Sequence, residues 1–132
     1  MPVTYIIDSA EKTIRTTCSS PLTFEQVIEH FRALQRDPAC AGYLDVMLDV
    51  SEADTLPEPA QLGMINVELS AVHVKAQFGF CAIVATRDAM FGMMRMFEVL
   101  ARPYFRATRV FRAKPESEAW LTAQQKAGGS AG

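Results

Sequence analysis

Between residues 44 and 50, Leu44, Val46, Leu48 and Val50 alternate with Asp45, Met47 and Asp49, the period of a strand whose two faces meet different surroundings. From 23 to 37 the period changes. Phe24, Val27, Ile28, Phe31 and Leu34 recur at helical spacing, and Glu25, Glu29, Arg32 and Arg36 fall opposite. Thr23 with Gln26 has the form of a capping box, and Asp37-Pro38 ends the helix because the residue before proline avoids helical dihedrals. Upstream, VTYIID (3–8) and TIRTTC (13–18) are rich in β-branched residues and joined by SAEK, which predicts a hairpin.

After a proline-containing loop, Leu62, Ile65, Leu69 and Val72 predict a helix over 59–73. FGFCAIVA (78–85) is a continuous apolar run suited to a central strand covered on both faces. A methionine-rich helix over 87–102 follows, ending near Arg102-Pro103, and TRVF (108–111) is a short strand. PESEAWL (115–121) opens a last helix, with Pro115 in its first turn, Glu116 and Glu118 at its positive end, and Trp120 and Leu121 to hold it down. KAGGSAG reads as a flexible tail. The order ββαβαβαβα predicts an α/β fold with a mixed, largely parallel sheet and flanking helices. The reading is one domain over 1–122 and a flexible tail over 123–132.

The methionine helix raises the one question the pattern leaves open. Four of the chain's 7 methionines lie at 90–96. On a helical wheel, Met90, Met93, Phe97 and Leu100 share the side expected to face the sheet. Phe91 falls within the arc of Arg87, Asp88, Arg95, Glu98 and Arg102, and Met94 lies on its border. Phe91 and Met94, ringed by Arg87, Arg95 and Arg102, are therefore the candidate contact surface, since aromatics, Met and Arg are enriched at interfaces. Arg95–Glu98 and Glu98–Arg102 are spaced to pair along the helix.

Composition narrows the classes. With 132 residues, 49% apolar and 21% charged, the chain suits one packed domain. There is no apolar run long enough for a transmembrane segment, and the start lacks the basic and apolar regions of a secretory signal. Cys18, Cys40 and Cys81 are odd in number and widely spaced, as expected of free thiols in a cytoplasmic protein. His30 and His73 have no ligand-like spacing to other metal-binding residues, so no metal or cofactor is expected. The net charge of −2 argues against nucleic acid. The charge is uneven, however. Residues 87–114 hold seven basic and two acidic side chains, +5, which leaves −7 on the rest of a chain whose total is −2. Such asymmetry steers an acidic partner or a second copy of the chain.

The element order, with TYIIDSAEKTIRTTCSSPLTFEQVIEHFRAL leading to YLDVMLDVS and then FGFCAIVATRDAMFGMMRMFEVL, resembles the SpoIIAA-like superfamily. More narrowly, it is similar to the small bacterial stand-alone STAS/SpoIIAA-like proteins. The resemblance spans about 3–121 and implies a mixed sheet with helices alongside and a binding or regulatory module without catalysis. Anti-sigma antagonists of that fold carry a phosphorylatable serine after the third strand in a DSSG-like motif. The matching place here reads DVSEADTL, so Ser51 is the phospho-switch candidate. The Ser-Gly pair is missing, and Glu52 and Asp54 would repel a phosphate.

No nucleophile elbow, P-loop or dinucleotide fingerprint occurs, and no enzyme activity is expected. Asp45 and Asp49 share a strand face but stand ~13 Å apart by the strand rise, too far for a glycosidase pair. The expected function is a regulatory or protein-interaction module, self-associating as a homodimer through 87–102. The alternative is a carrier of an apolar or acidic small molecule, such as a lipid or fatty acid, docking at a membrane surface.

Overall fold

The computed structural model describes residues 2–54 and 58–129. β1 (Val3–Asp8) and β2 (Thr13–Ser19) form the expected antiparallel hairpin, closed by Lys12 at φ +53. β2 runs parallel to β3 (Gly42–Glu52), β3 to β4 (Ala76–Val84), and β4 to β5 (Ala107–Phe111). The five strands lie in the order β1-β2-β3-β4-β5. The helices are α1 (Phe24–Arg36), α2 (Pro59–His73), α3 (Asp88–Leu100) and α4 (Lys114–Gly129).

Because spatial order follows chain order, every parallel crossover steps the same way along the sheet, and right-handed connection puts each crossover helix on the same face. The packing agrees. Leu34 of α1, Leu62 of α2 and Met90 of α3 share one apolar cluster with Ile14, Leu44 and Cys81 of the sheet. α4 has no crossover to make and lies on the opposite face, where Leu121 and Trp120 meet Met47, Phe80 and Val84.

The predicted capping box of α1 is formed: Gln26 N–H donates to Thr23 Oγ1 at 3.2 Å and Thr23 N–H to Gln26 Oε1 at 2.8 Å. At the other end of α1, Lys75 Nζ donates to the carbonyls of Gln35 and Asp37, which lack helical partners.

The run 78–85 does not keep strict alternation. Leu44 pairs with Phe78 but Val46 with Cys81, so β4 holds one extra residue there. The bulge sends Phe78 to the three-helix face and Phe80 to the α4 face. Asp45, 3% exposed, holds it: its Oδ1 accepts the Phe80 N–H at 2.8 Å. A Cβ at residue 79 would collide with Tyr43 Oη and with Asp45 Oδ1, the oxygen that holds the bulge, which favours glycine there.

One boundary and one helix face differ from the sequence reading. α4 continues to Gly129, so 123–129 is helix and not a flexible tail, while 130–132 lie outside the described residues. Thr122–Ala127 contains good helix formers, and Gln125 Nε2 donates to Thr13 Oγ1 at 3.0 Å and to Asp45 Oδ2 at 3.1 Å. α3 is rotated relative to the wheel. Its buried residues are Met90, Met94 and Phe97, followed by buried Ala101. The stripe is turned by about 50° from the predicted one toward Met94. Met94 is 7% exposed and Leu100 40%, the reverse of the expectation. The reason is position: α3 lies against β5 at the sheet edge, so one flank of the helix is covered and the other faces solvent.

Candidate functional site

Val46 and Leu48 point to the three-helix face of β3, the central strand, where full burial is expected. Both are only partly buried. They remain accessible because the helices do not close on the middle of the sheet. A cavity of about 340 Å³ lies there, between the sheet and α1, α2 and α3. Its floor is Ile14, Thr16 and Cys18 of β2, Val46, Leu48 and Val50 of β3, and Phe78 and Cys81 of β4. Its roof includes Val27 and Phe31 of α1, Leu62 and Ile65 of α2, and Met90, Met94 and Phe97 of α3. Along β2 the floor runs ~13 Å at the strand rise.

Sequence and topology explain the shape. The inner stripes of the roof helices mix aliphatic, methionine and aromatic side chains, and together they leave Val46 and Leu48 only partly covered. Of the described lining residues, only Thr23 and Glu58 are exposed, which puts the opening between the N-terminal ends of α1 and α2. An apolar space of this size, left empty, costs at most about 8 kcal/mol at ~24 cal/mol per Å³, and its opening to solvent reduces that.

The polar lining is sparse: Thr16, Thr23, His30, Glu58 and Gln61. Thr16 Oγ1 lies 3.5 Å from His30 Nε2, and the His30 ring packs against Tyr5 and Phe31 at centroid distances of 5.4 and 5.3 Å. Removal from water pushes the His30 pKa down to about 4, so the ring is neutral at pH 7. Burial, with Asp49 nearby, pushes the Cys18 thiol up to about 11, and burial also raises Cys81. Neither thiol is a nucleophile at neutral pH. Glu58 and Gln61 are tied to each other at the start of α2, where Glu58 N–H donates to Gln61 Oε1 at 2.8 Å.

The residues singled out in the sequence lie elsewhere, and they do not form one surface. Met94 is part of the cavity roof and not an exposed contact. Phe91 is partly buried against the core, with the Arg112 guanidinium 4.3 Å above its ring and Arg112 itself paired with Asp88. Arg112, just past the end of β5, thus covers the aromatic, held in place by Asp88 of the polar arc. Arg87 precedes α3 and Arg102 begins a short 3-10 turn, both exposed. Arg95 pairs with Glu98 at 3.8 Å. Ser51, near the end of β3, donates from Oγ to Asp49 Oδ1 at 2.5 Å, which engages its hydroxyl within its own strand.

The cavity lining was missed, although one signal was present. Thr16 shares a strand face with Ile14 and Cys18, and His30 lies inside the stripe of Val27, Phe31 and Leu34. Two polar groups on facing apolar stripes mark a place where the core is not closed.

Among the described residues, no three or more His, Cys, Asp or Glu side chains gather to hold a metal ion, and no helix is long and apolar enough to cross a membrane. Sheet, helices and cavity together define an α/β domain with an internal apolar cavity. No family model, curated protein or solved structure matches the chain.

Proposed function

We propose that this chain is a non-enzymatic binding module that takes up one small apolar molecule between its sheet and helices α1–α3. The observation that carries the reading is the cavity of about 340 Å³ above partly buried Val46 and Leu48. Its volume falls at the low end of ligand sites. A cavity of ~150 Å³ holds benzene, so this one has room for about a dozen carbon atoms. The resemblance to small STAS/SpoIIAA-like proteins agrees with a module that binds and does not catalyse. Native mass spectrometry before and after incubation with dodecan-1-ol tests it. One added ligand mass per chain is expected; a bare chain in both samples, together with an unchanged melting temperature, refutes it.

Self-association through α3 remains a second reading, on a shifted surface. Met96, Val99 and Leu100 are exposed on one side of α3, with Val99 at 52%, and Met64 and Val67 are exposed on α2, with Val67 at 66%. On α2 and α3 these residues, and not Phe91 with Met94, are exposed apolar side chains open to a second copy.

A further inference from the structure

Resting on the ligand reading above, we propose that the cavity selects uncharged molecules: an apolar body of about a dozen carbons bearing at most one neutral hydrogen-bonding group, such as an alcohol, ketone or ester. A fatty-acid carboxylate is excluded. Among the described residues that line the space there is no lysine and no arginine. The basic side chains that the sequence concentrates at 87–114 are held outside it, Arg112 over Phe91, Arg106 over Phe80 and Arg109 over Phe111. The one cationic candidate within, His30, is neutral at pH 7 because its ring is cut off from water. A carboxylate drawn inside would lose its hydration with no opposite charge to replace it.

The opening gives no better place for an anion. Helix N-termini attract negative charge, but here both are already served. The first turn of α1 is closed by the Thr23–Gln26 box. Glu58 stands at the start of α2, so an anion is already fixed there. An incoming carboxylate therefore meets the Glu58 carboxylate at the mouth. What the interior does provide is the Thr16 hydroxyl beside the neutral His30 imidazole, a donor and acceptor pair matched to a hydroxyl or carbonyl.

Equilibrium dialysis of the full chain at pH 8 against dodecan-1-ol, methyl dodecanoate and dodecanoate, each below its aggregation limit, tests the proposal. The alcohol and the ester bind, and dodecanoate binds at least tenfold more weakly. Glu58→Arg narrows the gap in affinity between the alcohol and dodecanoate severalfold. Dodecanoate binding as tightly as the alcohol overturns the selection for neutral ligands while leaving the cavity reading intact. Failure of all three to bind overturns the cavity reading itself, and this proposal with it.

Discussion

Leu48→Phe distinguishes an open core from a filled one by the sign of a stability change. Leu48 projects from the central strand into the cavity and is only partly buried. Phenylalanine adds about three carbon atoms, and at ~0.8 kcal/mol for each buried carbon the gain is about 2 kcal/mol if the ring enters existing space. In a closed core the same change overpacks, and costs roughly 1–3 kcal/mol. The two cases differ in direction, so the test does not depend on an accurate magnitude. Urea unfolding of the ligand-free protein, followed by Trp120 fluorescence, reads the difference. With a urea slope of ~2 kcal/mol per molar for a chain of this size, the midpoint rises by about 1 M. The variant also loses dodecan-1-ol binding, because the ring occupies the ligand's place. A midpoint that falls by a similar amount shows that side chains already fill the space above Leu48, and the functional argument ends there.

Three further outcomes follow from other parts of the molecule. His30 has a folded pKa of about 4 against an ordinary 6.5, so the unfolded chain binds the extra proton first as pH falls. Stability from this residue is present above pH 6.5 and is lost between there and pH 4, about 3 kcal/mol in total; His30→Gln flattens that part of the urea-midpoint profile, and an unchanged profile refutes the assignment. Gly79→Ala places a methyl group onto Tyr43 Oη and Asp45 Oδ1 and costs at least ~2 kcal/mol by the same unfolding assay; a neutral result means that the bulge yields freely. If the chain self-associates, Val99→Glu lowers the sedimentation mass to that of a monomer while Phe91→Asp chiefly destabilises the fold, whereas dissociation by Phe91→Asp alone at unchanged stability restores the surface first read from the sequence.

The strands, the helices and their order were legible because each rests on a local period. The alternation at 44–50, the stripe of α1 and its Thr23–Gln26 cap all depend on residues within a few positions of one another. The bulge at Gly79–Phe80 was not legible, because it depends on Asp45, 35 residues away from Phe80, reaching across to the Phe80 N–H. The rotation of α3 escaped for a similar reason. A wheel assigns the arc opposite the apolar stripe to water, but α3 lies at a sheet edge where Arg112, beside β5, comes round to cover Phe91. That left Met94 free to turn inward and line the cavity. The cavity itself is a distance between layers, and a single sequence encodes such a distance only through the sizes of side chains that meet from different elements. Thr16 and His30 were its one trace, each a polar residue on an apolar stripe and each unremarkable alone. Their meaning appears only when β2 and α1 are brought face to face, where a core that was meant to close would have had no use for either.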